Sequence, residues 1–380
     1  LPERTLCEES VDFTCDGEGP YTILQLLQAL NAHDSDLGKV GGLVYRNGDQ
    51  IARSRPAPLV KDLDKEMVGL AWDLLPMQKY RAHNWHCFGD LVRQPYASLY
   101  TTLGCPFRCS FCCIQSPFKT GESAMGLKAA TNSYRMWKPQ TIVAEIDKLV
   151  DHYGVRNIKI ADELFVLNPK HVIDICDRLI ERNYDLNIWA YARVDTVKES
   201  MVEKLRRAGV RWLAFGIEAA SERVRDDVEK GFDQGDIVKT LDEVRAAGIA
   251  VIGNFIFGLP EDDLSSMQAT LDLALELNCE FANFYVAMAY PGSQLYNEAL
   301  KNGWSLPRQW SGYSQHAVDT LPLPTRYLSA GEVLRFRDDA FQTYYKNPRY
   351  LDRIADKFGP ETSAHIRAMA SHRLQRQYAS

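Results

Sequence analysis

No stretch of apolar residues in this 380-residue chain approaches the roughly 18–20 needed to span a bilayer, which excludes a long membrane-crossing helix. The start lacks a basic segment leading into an apolar one. It reads LPERTLCEES, polar and without the marks of a secretory signal. Positive charge is not in excess: 44 Lys and Arg stand against 50 Asp and Glu, for a net charge of −6. That balance argues against a nucleic-acid backbone as partner. An even cysteine count is missing too. Nine cysteines in a long chain with no export signal fit a reducing, cytoplasmic compartment with metal-bound or free thiols better than a disulfide framework. The length suits one large domain with one or two appendages. Leu at position 1, and the abrupt opening, read as an N-terminally truncated sequence.

What is present is a change of rhythm along the chain. Residues 1–54 suggest a strand at Val11–Cys15, a Gly/Glu turn, an amphipathic helix from Tyr21 to about Leu30, and a hairpin around Asn47–Gly48. Asn-Gly is favoured in such hairpins because it tolerates positive φ. One strand, one helix and one hairpin cannot bury a core of their own. The segment is therefore expected to be the end of an α/β domain, with an apolar face left uncovered. Residues 55–96 hold several prolines and no sustained period, and read as a linker wrapped on a neighbour.

From 97 to 303, short strands alternate with amphipathic helices, starting at ASLYTT and continuing through NIKIAD, LNIWAYAR, RWLAFGIE, AVIGNFIFG and FANFYVAMAY. Strands apolar on both parities belong to a parallel sheet covered on both faces. Six β/α units predict an α/β fold with a partial (β/α) TIM barrel rather than a closed one of eight. Residues 304–380 predict a mainly helical extension.

In such sheets the chemistry gathers at the C-terminal ends of the strands. Just after the first strand stands LGCPFRCSFCC, Leu103–Cys113. A zinc site takes two ligand pairs, and no second Cys/His pair lies at suitable spacing; His83 and His86 are irregularly placed upstream. A disulfide conflicts with the compartment, and a Cys-x-x-Cys redox pair opens a helix in a smaller fold. The informative spacing is Cys105-x3-Cys109-x2-Cys112. Three thiolates on one loop suit three irons of a 4Fe–4S cluster and leave the fourth open, whereas electron-transfer clusters take four cysteines. Cys113 falls outside the spacing and reads as packing.

This Cys-x3-Cys-x-aromatic-Cys loop, with Phe111 at the aromatic position and a β/α series downstream, resembles the radical S-adenosylmethionine (SAM) superfamily over roughly residues 97–303. The resemblance implies Cys105, Cys109 and Cys112 as ligands of a 4Fe–4S cluster, with SAM chelating the open iron through its amino and carboxylate groups. It implies cofactor contacts by Phe111, and by Asp162 and Glu163 as acceptors for the methionine ammonium or the ribose. Arg193 after the third strand would pair a carboxylate. Glu218 and Ser221 in FGIEAASERV, and Gly253 and Asn254 in GNFIFGLPEDD, would complete the site. Ala219 stands where relatives often carry Ser.

The pattern is most similar to the class carrying an N-terminal cobalamin-binding domain, which includes methyltransferases and the anaerobic cyclase of chlorophyll precursors. Residues 1–54 resemble the Rossmann-like end of that domain, and 55–96 its connection to the barrel. The Asp-x-His-x-x-Gly cobalamin signature is absent from these residues, so cobalamin is expected of a longer protein. The implied activity is reductive cleavage of SAM to a deoxyadenosyl radical acting on a small-molecule or biosynthetic-intermediate substrate, with a flavodoxin- or ferredoxin-type donor. Methyl transfer is one outcome; cyclisation or rearrangement, or a plain iron–sulfur electron carrier, are the alternatives.

Overall fold

The computed structural model of the protein describes all residues except 33–35, 90, 233 and 380. The chain opens with a short helix, Pro2–Glu8, which the sequence reading did not foresee. Strand β1 (Phe13–Cys15), helix Pro20–Asn31 and a hairpin of β2 (Leu43–Asn47) and β3 (Gln50–Arg53) follow. The hairpin turns at Gly48, φ 62°, the positive value its Asn-Gly pair announces. β1 pairs antiparallel with β2, so the segment forms a three-stranded antiparallel sheet, β1-β2-β3. The strand, helix and hairpin expected here are thus present, with the strand paired to the hairpin. Helix Pro20–Asn31 leaves Ile23, Leu24, Leu27 and Leu30 between 46% and 60% exposed along one side.

The larger sheet begins with β4 (Tyr96–Leu99). A small antiparallel pair, β5 (Thr102–Leu103) and β6 (Arg135–Met136), brackets the cysteine loop and an unforeseen helix, Ser116–Ala124. Then come β7 (Asn157–Ile160), β8 (Asn187–Ala192), β9 (Val210–Glu218), β10 (Ala250–Phe257) and β11 (Phe281–Val286). Strands β4, β7, β8, β9, β10 and β11 lie side by side in that order, all parallel. Helices Pro139–Tyr153, Pro169–Arg182, Glu199–Arg207, Gln234–Ala246 and Leu264–Leu277 connect them. Helix Pro139–Tyr153 shows why these form. Proline sits in its first turn, where no N–H is needed. Ile142, Val143, Ile146, Leu149 and Val150 make one buried stripe, and Gly154 ends the helix at φ 65°.

Side chains alternate between the two faces of the sheet. Ile158, Ile160, Ile188, Ala190, Leu213, Phe215, Val251, Phe255 and Phe284 are buried on the helical side. Residues of opposite parity from β7 to β11 line one cavity on the inner side, so the sheet curls around it. No helix among the described residues is long and apolar enough to cross a membrane.

Helix Ala330–Tyr345 packs along β11, the last strand of the sheet, and helices Pro348–Phe358 and Pro360–Ser371 pack on it and on each other. The Tyr345 hydroxyl donates to Ala282 O (2.5 Å) and accepts from Ala282 N (3.1 Å). The Gln315 side chain does the same for Val286, at 2.9 and 3.1 Å, and Arg337 Nε donates to Phe284 O at 2.7 Å. The helical extension thus closes an edge that would otherwise template another strand.

Glu280, fully buried before β11, joins the extension to the sheet. It accepts from Val251 N at 2.9 Å and pairs with Lys357 (2.7 Å), Arg353 (2.9 Å) and Arg245 (3.6 Å). Burial alone would raise its pKa, but Lys357, Arg245 and Arg353 outweigh it and hold the carboxyl below the usual glutamate range. Glu280→Gln is expected to cost about 3–5 kcal/mol, the range for breaking a buried ion pair by removing one partner. A depressed pKa contributes stability above the unfolded value that is lost as pH falls through the folded one. Urea titrations should therefore show the wild-type advantage at neutral pH and its loss below the ordinary glutamate pKa of 4.5.

Candidate functional site

The parallel sheet sends every strand's C-terminal end to the same side, and the cysteine loop is fastened there. It starts at Gly104, φ 87°, where a Cβ would collide with Ser133 O. Cys105 N donates to Gln115 Oε1 (3.0 Å), and Asn132 Nδ2 donates to Cys105 O (3.0 Å) and Phe107 O (2.7 Å). Ser110 N reaches Val228 O (3.2 Å) and Ser110 O accepts from Leu295 N (3.0 Å), tying the loop to the chain beyond β9 and β11. Phe111 packs against Val224, Val228 and Leu259 on one side and Leu295 on the other.

Cys105, Cys109 and Cys112 line one cavity of about 290 Å³, and Cys113 is not among its lining. Among the described residues, no three His, Cys, Asp or Glu side chains are grouped to hold a single metal ion. Three soft thiols around a shared space suit ligation to separate irons of a cluster. Burial raises the Cys105 and Cys109 thiols and pushes Cys112 up to about 12, while Lys230 and Arg193 pull Cys109 back. Iron would displace those protons on binding.

The two adjacent carboxylates after β7 part company. Asp162 is fully buried and accepts from Thr101 N (2.6 Å), Thr101 Oγ1 (2.5 Å) and Thr102 Oγ1 (2.9 Å). Both its oxygens are spent on holding the strand that leads to Cys105, which leaves them engaged within the protein rather than open to a ligand. Glu163 accepts no such bonds. Burial, then the Asp162 charge, push it up to about 7, against the pull of Lys159.

Arg193 is buried, with Nε on Asp195 Oδ1 (2.7 Å), Nη2 on Gly231 O (3.1 Å) and its guanidinium 4.3 Å from the Phe107 ring. Its Nη1 is buried without a partner among the described residues, a donor suited to a carboxylate. Glu218 ends β9 at φ 64°, where the register with β10 slips at Asn254/Phe255. Bulges re-aim side chains in this way. It pairs with buried Lys230, a residue the sequence reading missed because nothing local marks it. A Cβ on Gly216 would lie 2.6 Å from both partners, so glycine makes the pair possible.

Ser221 precedes helix Glu222–Asp227 without capping it through its side chain. Gly253 is not at a strand end. It lies mid-strand on the helical face, where a Cβ would stand 2.7 Å from the Phe255 ring and 3.1 Å from Cys279 Sγ; packing explains it, and its side-chain position does not face the ligand side. Asn254 does face inward, donating to Phe215 O (3.1 Å) and accepting from Asn283 (2.9 Å).

Residues 99–274 match the Radical SAM superfamily. An uncharacterized methyltransferase of Pyrococcus horikoshii is 28% identical over 351 residues, 92% of this chain and 71% of that protein. The anaerobic magnesium-protoporphyrin IX monomethyl ester cyclase of Cereibacter sphaeroides is 26% identical over 350 residues, 90% of this chain and 53% of that protein. Among solved structures, the cobalamin-dependent SAM radical enzyme OxsB, with aqua-cobalamin and SAM bound, has a similar fold (TM-score 0.68, 16% identity, 97% of this chain, 57% of that one). So does the radical SAM methyltransferase TsrM from Kitasatospora setae (TM-score 0.59, 17% identity, 86% of this chain, 60% of that one). The chain thus spans a little over half of these two solved enzymes.

The carboxylates give opposite expectations. Asp162→Ala strands three buried donors at about 1–3 kcal/mol each. It should lower the melting temperature and the iron retained after anaerobic reconstitution; unchanged values would remove it from the loop's support. Glu163→Gln should leave iron content unchanged. Wild-type affinity for SAM should weaken as pH falls through about 7, since protonation removes the acceptor's charge. Equilibrium dialysis across neutral pH should find the Gln variant flat.

Proposed function

We propose, on the premise that residues 99–274 are a radical SAM domain, that this enzyme binds a 4Fe–4S cluster and SAM at the strand ends and performs radical chemistry on a carbon of a small-molecule substrate. The observation that carries the reading is the single cavity lined by Cys105, Cys109 and Cys112, with Arg193 and Lys230 near enough to act on the Cys109 thiol. When bound, a reduced cluster would supply one electron for breaking a carbon–sulfur bond of SAM. The chain's own residues would bind, orient and shield. The thiolates of Cys105, Cys109 and Cys112 would hold the cluster. Arg193 Nη1 would take the methionine carboxylate. Glu163 and Glu218 would take the ammonium and the ribose hydroxyls, Glu218 being held by Lys230. Phe111 walls the loop, with Ser221 beyond Glu218.

Methyl transfer to an unactivated carbon is the favoured outcome. A methyltransferase name is carried by the relative from P. horikoshii, and TsrM is a methyltransferase of like fold with cobalamin bound. Cobalamin would then be held by the full-length protein. A radical cyclisation or rearrangement is the second reading, favoured by the match to the magnesium-protoporphyrin cyclase over 90% of this chain. The electron would come from a flavodoxin- or ferredoxin-type donor.

Anaerobic reconstitution should give about four irons and four sulfides per chain. Joint replacement of Cys105, Cys109 and Cys112 by Ala should abolish the visible absorption, and Cys113→Ala should keep it. A cluster surviving in the triple variant would refute the ligand set. In turnover with dithionite, deoxyadenosine reports radical formation. S-adenosylhomocysteine beside it identifies methyl transfer, and its absence with a product of unchanged carbon count identifies cyclisation.

A further inference from the structure

The inner side of the sheet holds a cavity of about 540 Å³ that the cofactor site does not use. Its size falls within the range of small-molecule pockets. Its walls are flat and aromatic: Trp189 and Tyr191 from β8, Phe281 and Tyr285 from β11, and Trp85 from the linker, which stacks on Phe281 at 5.8 Å. Lys159 of β7 projects into it, with Nζ 4.8 Å from the Trp189 ring centre and 5.4 Å from that of Tyr191. No carboxylate among the described residues lies within ion-pair distance of this ammonium, and the cavity's lining contains no Asp or Glu at all. Arg93 adds a second cation, engaged with Ala82 O at 2.7 Å. Trp189 Nε1 is a buried donor without a partner among the described residues. An ammonium on an aromatic wall beside an unused N–H, with no carboxylate in the cavity's lining and only the longer-range charge of Glu163 acting on it, suits an anion carried by a flat group.

We infer that this cavity binds the enzyme's substrate and that the substrate is a ring-bearing carboxylic acid, its ring against Trp189, Tyr191 and Phe281 and its carboxylate on Lys159. The assignment rests on the radical SAM reading only for the word substrate. Glu163 links the two regions, acting on Lys159 and Tyr191 beneath it and on Cys105 above it. The cavity's lining follows the inner face of the sheet from β7 to β11, with His83, Trp85 and Arg93 of the linker among its walls.

The probes are 2-naphthoate and its neutral isostere 2-naphthamide, titrated anaerobically against the chain and followed by quenching of tryptophan fluorescence. The acid should bind at least about tenfold more tightly than the amide. Lys159→Met should reduce acid binding to the amide's level without changing the amide, Lys159→Arg should keep the preference, and Trp189→Phe should weaken the acid selectively. Circular dichroism verifies that each variant is folded. Equal binding of acid and amide by the wild type, or an undiminished preference in folded Lys159→Met, overturns the inference. Iron content and SAM cleavage are measured on the same samples. Their loss in the wild type would sink the radical SAM reading while leaving acid selectivity intact; lost selectivity with normal SAM cleavage sinks only the pocket.

Discussion

The free edge of β11 is the constraint on which the rest depends. A parallel sheet that does not close on itself ends in a strand whose outward N–H and C=O groups must be paired or hydrated. Here alternate residues are served one after another: Ala282 by Tyr345, Phe284 by Arg337 and Val286 by Gln315. These are side chains imitating a seventh strand. Because successive residues face opposite sides, fixing this edge also fixes the register of Asn283 and Tyr285 on the inner face. The chain after β11 reaches back to the cysteine loop through Leu295 N and Ser110 O. The helix that follows β11, Gln294–Asn302, is thus part of how the loop is held, although it contributes no cysteine.

At the opposite end of the argument stands a local departure from ideal backbone. Glu218 adopts a left-handed conformation that non-glycine residues avoid, at a cost of order 1–3 kcal/mol. The bulge that produces it carries the carboxylate to Lys230 rather than letting it continue the strand's alternation. Burying that ion pair costs desolvation that the pairing only partly offsets. Strain and buried charge fall on the same residue, at the end of β9, and neither contributes to fold stability.

Much of this could be read from the chain, and what could not has physical reasons. The cysteine spacing is local, so its meaning survives without tertiary structure, as do the helices ended by Gly154 and Gly303. The β7 segment also carried an unused signal. Ile158 and Ile160 mark the helical face, so Lys159 and, by continuation, Glu163 belong inside and Asp162 does not. The same parity places Gly253 with Val251 and Phe255, away from the ligand side. Lys230 had no such signal: it lies twelve residues from Glu218 and reaches it only because of the bulge. The edge contacts join residues 29 to 63 apart in sequence, and no periodicity announces them. The antiparallel pairing of β1 was hidden for a related reason, since a three-residue strand has too little pattern to state its partner.

Charge along the inner side is mixed at one end and basic at the other. Glu163 and Glu218 stand at the cysteine end with Lys230 and Arg193 near them, and Lys159 lies against Trp189 and Tyr191 in a cavity that Arg93 and His83 also line. In a low-dielectric cavity such an arrangement is costly unless something bound there completes it. Lys230 answers Glu218 from within the protein, and Asp162 is answered by Thr101 and Thr102. Glu163 and Lys159 influence each other only at longer range, each shifting the other toward its charged form against burial. Of the charged groups around this axis, these two therefore remain the least compensated by the fold, one acidic toward the cysteines and one basic toward the aromatic cavity. The fold answers Glu218 and Asp162 with short contacts and leaves Glu163 and Lys159 to a longer-range attraction.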